Sequence, residues 1–203
     1  MMQYIFISIF LFFTLNVNAQ SERKIVRKIY KFQKELNLEF LDPKTTILDS
    51  LGQLSFEGLE FYPVTTKYRI KASFKRTPNE KPFLMKTSTD RLPEYVKYGE
   101  ASFEIEDEKI ILNIYQNIKY SKIEEYKDDL FLPFTDYTSG DGSYGGGRYI
   151  DLKIPDNEFI ILDFNKSYNP YCAYNKKYSC PIPPIENDIV LRIEAGIKDF
   201  SEH

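Results

Sequence analysis

The residues whose chemistry stands out begin at Tyr144, where Gly145, Gly146 and Gly147 lead directly into Arg148. Glycine belongs where the backbone needs positive φ or close approach, so this run predicts a tight turn or bulge at the entry to a strand. In the run Arg148 to Ile154, Arg148, Ile150, Leu152 and Ile154 share one parity, which puts the arginine on the apolar face. A charge placed there needs a partner. The next run, Glu158 to Asn165, is apolar from Phe159 through Leu162 and ends in Asp163, Phe164 and Asn165, and the short polar link Pro155 to Asn157 between the two runs predicts a hairpin. In that hairpin Arg148 and Asp163 lie near the same open end. The expected chemistry is an ion pair, or two walls of a site for a small polar or anionic ligand. A competing reading has Arg148 simply beginning a strand, with its stem buried and its guanidinium in water.

Four other constellations bear on chemistry. Cys172 and Cys180 are the only cysteines, and in an exported chain such a pair is read as a disulfide, which for so short a loop contributes roughly 2 to 3 kcal/mol. Zinc is not expected, because the only histidine is His203 at the terminus. That same shortage argues against Ser-His or Cys-His nucleophile pairs. Asp136, Asp141 and Ser143 offer oxygen atoms among glycines, but their spacing does not match an EF-hand loop, and a hydrated turn is the simpler reading. The YGGGR string lacks the Lys-Ser/Thr of a phosphate-binding loop and precedes a strand instead of a helix, so no nucleotide or other cofactor is expected. What chemistry remains would fall to carboxylates, with Asp151 and Asp163 as a candidate acid and base pair.

These residues must be positioned by a chain of 203 residues, a length that suits one domain with a substantial core. Its formal net charge of −3, with Lys and Arg scattered among Asp and Glu, offers no basic stripe for a phosphate backbone, so nucleic acid is not an expected partner. Sixteen Tyr and 16 Phe with no Trp favour sheet. Tyr4 to Leu15 is an uncharged apolar run too short to span a bilayer; with Val17 and Ala19 at small-residue positions it predicts a signal peptide over residues 1–19. The mature domain would then start at Gln20 and run to residue 203, periplasmic or secreted, with no stable membrane insertion after cleavage.

Ile25, Ile29, Phe32 and Leu36 recur at spacings of four, three and four between charged residues and predict an amphipathic helix over Ser21 to Leu41, ended by Asp42-Pro43. Phe56, Leu59, Phe61 and Tyr62 read as a plug for one end of a core. Tyr68, Ile70, Ala72 and Phe74 alternate with Arg69, Lys71, Ser73 and Lys75, the clearest half-buried strand. Further strands are expected at Phe83 to Ser88, Tyr95 to Ile105 with a break at Gly99, Lys109 to Tyr115, Leu130 to Phe134 and Ile189 to Ala195. One leading helix and about eight short strands predict a mainly β protein, an antiparallel barrel-like or sandwich fold.

Taken together, the strings DYTSG, SYGGGRYIDL, ILDFNKSYNPYCAYN and CPIPPIEN, followed by Ala195-Gly196, resemble the family catalogued as domain of unknown function 1684. FEGLEFYP, KTST, YVKYGEASF and LFLPF extend the resemblance over nearly all of the mature chain. It implies a single-domain bacterial protein with no established activity. It also directs attention to Tyr144, Gly146, Arg148, Asp163, Asn165, Asn169 and Asn175 as ligand-site candidates, beside Cys172 and Cys180. The leading expectation is a module that binds a small polar or anionic ligand, with Arg148 as the anion contact. A carboxylate-dependent envelope enzyme acting on a glycan and a structural or protein-interaction module, its partner unidentified, are the alternatives.

Overall fold

The computed structural model describes residues 2–200, with side chains from Gln20 onward; the signal peptide expected over residues 1–19 lies outside the residues whose side chains are described. A long helix, α1 (Met2–Leu41), leads into a short helix, α2 (Ser50–Ser55). Eight strands follow: β1 (Arg69–Arg76), β2 (Phe83–Leu84), β3 (Glu94–Ile105), β4 (Glu108–Asn117), β5 (Asp129–Asp136), β6 (Arg148–Lys153), β7 (Phe159–Asp163) and β8 (Asp188–Ile189). They form one sheet in the order β6-β5-β4-β3-β1-β7, with β2 added to β3 and β8 lying parallel to β5. The sheet curls into a half-barrel behind the N-terminal helix, the mainly antiparallel architecture expected from the strand count.

The core fills the inside of the curl. Ala72 and Leu162 face inward from β1 and β7, Ala101 and Leu112 from β3 and β4, and Leu132, Phe134 and Ile150 from β5 and β6. The alternation of β1 is realised, with Ala72 fully buried and Lys71 and Lys75 outside. Helix α1 buries Ile29 against this body and half-buries Ile25, Phe32 and Leu36, as its spacing requires. Its C-terminal end joins a second cluster, where Phe40, Ile47, Leu48 and Leu59 meet Tyr174 and Ile197, with Phe56 and Phe61 packed on them. The break expected at Gly99 is a bulge between Lys97 and Gly99 in the pairing of β3 with β4. A Cβ on Gly99 would come within 2.5 Å of the Phe74 ring and 2.8 Å of the Lys75 carbonyl oxygen, so the bulge demands glycine.

Two expectations are corrected. The runs Arg148 to Ile154 and Glu158 to Asn165 do not form a hairpin: β6 pairs with β5, β7 pairs with β1, and the two strands stand at opposite ends of the sheet order. It is the curl that makes them neighbours, so the short link between them joins the two lips of an open barrel. Behind β7 the chain crosses to the other lip, where Tyr168 and Tyr149 exchange two backbone hydrogen bonds of 2.9 and 3.0 Å. The second correction concerns Ile189 to Ala195, of which only the first residue lies in a strand. Ile189 and Ile193 are buried and Leu191 packs on the core as the alternation predicts, yet most of this segment's backbone has no ladder.

Candidate functional site

The segment without a ladder is held by Arg148, the largest fully buried side chain among the described residues. Gly147 sets its backbone: with φ at +85°, any Cβ there would stand 2.5 Å from the Phe134 carbonyl oxygen. The Arg148 guanidinium donates to the carbonyl oxygens of Ile193 at 2.9 Å, Ala195 at 2.5 Å and Ile197 at 3.3 Å. It also donates to Asp136 Oδ1 at 3.1 Å and Thr138 Oγ1 at 3.2 Å. Asp136 in turn accepts the Ile193 amide at 2.7 Å and both the amide and the hydroxyl of Thr138. An arginine and an aspartate thus do the work of a neighbouring strand for the C-terminal segment. Burial pulls the Arg148 pKa down, and the Asp136 charge opposes that only in part.

The partner expected for Arg148 is therefore corrected: the ion pair is with Asp136, and Asp163 lies 3.7 Å from Arg69 Nε instead. The physical reason is the strand order, since β5 and not β7 lies beside β6. With no exposed surface and both terminal nitrogens engaged, Arg148 is a clasp and not an open anion contact.

The asparagines expected around it behave the same way. Asn165 is fully buried and exchanges two hydrogen bonds with the Thr65 backbone, donating to its oxygen at 2.9 Å and accepting from its nitrogen at 3.0 Å. Asn169 donates to the Lys198 carbonyl at 2.9 Å and the Tyr174 hydroxyl at 3.2 Å, and Asn175 to the Ile47 carbonyl at 2.9 Å. Each ties one loop to a distant one. Asn187, which sequence reading passed over, goes further. Strands β4 and β5 pair only at Tyr115 and Phe131, and Pro133 has no N–H to offer. The Asn187 amide fills the gap, accepting from Asn113 N at 2.8 Å and donating to the carbonyls of Asn113 at 2.9 Å and Pro133 at 2.7 Å.

Tyr144 and Gly146 sit apart, beside the cysteines. A Cβ on Gly146 would meet the Tyr144 ring at 2.5 Å, so this glycine is needed for the ring to lie over the turn. Cys172 and Cys180 are free thiols in this structure and not the expected disulfide, although they adjoin: the Cys172 amide donates to Cys180 Sγ at 3.2 Å.

An open site does exist, between the two lips of the half-barrel and under the first turns of α1 that follow Gln20. It is a cleft of about 600 Å3. Lys24 and Lys28 reach it from the helix, Arg69 from β1, Asp151 from β6, Asp163 from β7, and Lys166 and Tyr168 from the segment after β7. Of the ligand-site residues read from the sequence, Asp163 alone lines this cleft; Asp151, the other member of the expected acid and base pair, lies across it. Their surroundings differ. Asp151 accepts from the Tyr168 hydroxyl at 2.8 Å; the protein crowding the cleft raises its carboxyl above the ordinary value, and the tyrosine bond opposes that rise only in part. The Tyr168 phenol is pushed up by burial first and by the Asp151 charge second, so it stays a proton donor. Asp163 accepts from Asn165 Nδ2 at 3.0 Å and stands beside the Arg69 guanidinium. Lys24, Lys28 and Lys166 take part in none of the ion pairs found among the described residues. No signal of period or motif in the sequence could have gathered these lysines with Arg69, because the four cations come from three separate elements.

Among curated proteins, none matches this chain. Among solved structures, the solution NMR structure of an uncharacterized protein of Haloarcula marismortui is similar to it, with a TM-score of 0.70 and 27% sequence identity. The likeness covers 91% of this chain and 99% of that one. Residues 54–198 match the family model described as a protein of unknown function, DUF1684, a span that holds every strand, the Arg148 clasp, the cysteines and, apart from the lysines of α1, the charged walls of the cleft. The chain belongs to the DUF1684 family.

Proposed function

We propose that the cleft between β6 and β7 binds a small anionic ligand, in a protein that acts outside the cytoplasm once its leader is removed. The observation that carries this reading is the imbalance of charge in the cleft. Four cationic side chains, Lys24, Lys28, Arg69 and Lys166, face it against two carboxylates, and one of those carboxylates is already engaged by Arg69 and the other by a tyrosine. On a chain whose net charge is −3, that local excess of positive charge focuses an anion into the concavity. The anion contact expected of Arg148 is thus reassigned to the lysines of α1 and to Lys166. A thermal-shift series with phosphate, sulfate, citrate, glucuronate and neutral glucose tests it. Anions raise the melting temperature of the wild type by mass action, glucose does not, and the shift is lost in Lys24→Gln/Lys28→Gln. An anion shift that survives in this variant would refute the site.

A second reading is favoured by one observation, the two differently held carboxylates on the walls of one cleft. Asp151, whose carboxyl is raised, would serve as proton donor, and Asp163, held beside Arg69, as the second acidic side chain of a pair of the kind used in carboxylate-dependent glycan cleavage. Reducing-sugar release from envelope glycans by the wild type, abolished in Asp151→Asn, would establish it. Absence of release by the wild type leaves the cleft as a binding site.

A further inference from the structure

Cys172 and Cys180 lie outside the cleft and outside the Arg148 clasp. Cys172 sits in the 3-10 turn Tyr171–Ala173 and is half-buried, whereas Cys180 is buried. Cys180 is fixed from both sides of its backbone, its amide donating to Ser88 Oγ at 3.1 Å and its carbonyl accepting from the Ser88 amide at 2.9 Å. Arg91 locks the same segment through the carbonyl of Ser179 at 2.6 Å. The accessible sulfur therefore belongs to Cys172 and the anchored one to Cys180. The two residues adjoin: the Cys172 amide donates to Cys180 Sγ at 3.2 Å.

We propose that Cys172 and Cys180 are a redox-active dithiol that exchanges with small-molecule disulfides, Cys172 attacking and Cys180 resolving. In the first step the Cys172 thiolate attacks one sulfur of the disulfide, forms a mixed disulfide and expels one thiolate. Cys180 then loses its proton to solvent, and its sulfur attacks Cys172 Sγ and expels the second thiolate. The dithiol is oxidised to a disulfide while the small-molecule disulfide is reduced to two thiols.

The order of attack follows from the surroundings. Hydrogen bonds from Cys180, Ser88 and Tyr144 outweigh burial and hold the Cys172 thiol down at about 6, so at neutral pH it is a thiolate close to the optimum for attack. Cys180 is pushed well up, first by its bond to Cys172 and then by burial, and only partly relieved by Arg91. Capping Cys172 removes the negative neighbour that keeps Cys180 protonated. The second thiol is thereby released when its electrophile has been made.

The test is capture by oxidised glutathione, read by intact mass. Cys180→Ser and, to guard against a folding defect, Cys180→Ala are expected to accumulate a protein carrying one glutathionyl group on Cys172, while the wild type passes to the internal disulfide and releases two glutathiones. In the reduced wild type at pH 7, Cys172 should be alkylated at least about tenfold faster than Cys180. A wild-type disulfide that stays closed in the folded protein under excess reduced glutathione would make the pair a static brace and overturn the proposal. So would folded Cys180 variants that capture nothing, or labelling that favours Cys180.

Discussion

Two of the arginine and carboxylate pairs among the described residues stand in contrasting settings. Arg148 and Asp136 are fully buried, and between them they serve three carbonyl oxygens, two backbone amides and a hydroxyl. Arg69 is partly exposed beside a largely buried Asp163, 3.7 Å away, on the wall of a cleft where the arginine has hydrogen-bonding capacity to spare. Both are the same chemical pair. What separates a clasp from a candidate site is saturation, because a buried group whose terminal donors are used by the protein has little left for a ligand, while a half-open one keeps donors for something that diffuses in.

The largest effect that would break this contrast lies in the clasp. Arg148→Ala should destabilise by about 3 to 5 kcal/mol, since it strands Asp136 and three carbonyls away from water. Arg148→Lys should recover little of that, because an ammonium cannot reproduce the planar fork. Urea unfolding measures both, and a loss under about 1 kcal/mol for the alanine variant would show the clasp to be dispensable. Next comes Asn187→Ala, expected to cost about 1 to 3 kcal/mol by opening the seam between β4 and β5, with hydrogen exchange at the Asn113 amide rising ahead of its neighbours. An Asn113 amide as protected as before would mean that the seam closes without the side chain.

The cleft should respond to pH through Asp151. The folded pKa of Asp151 is raised, so the folded state binds its proton more tightly than the unfolded chain does. Its contribution to stability is therefore largest below the unfolded value near 3.8 and falls as pH rises toward the folded value. Asp151→Asn should flatten that decline in melting temperature between pH 4 and 7 relative to the wild type. An unchanged profile would show that the carboxyl is solvated as in water. Smallest of all, Lys24→Gln/Lys28→Gln should change stability by no more than about 0.5 kcal/mol, as exposed substitutions do, while abolishing the anion shift. A large loss of stability would place these lysines with the scaffold.

What the sequence determined by itself is what depends on near neighbours along the chain. The stripe of α1, the parity of β1, the bulge at Gly99, the inward position of Arg148 and the nearness of Cys172 to Cys180 were all legible, because periodicity and glycine stereochemistry act over a few residues. So was the need of Arg148 for a partner. Only the tertiary structure decided which partner it took, that β6 and β7 became the lips of a cleft, and that the asparagines were spent on tying loops together. Those outcomes rest on bonds between groups far apart in the chain: Arg148 to Ala195, Asn165 to Thr65, Asn187 to Asn113. A buried donor must find an acceptor, but which acceptor is set by the order of strands in the curled sheet, and that order follows from the packing of the whole core.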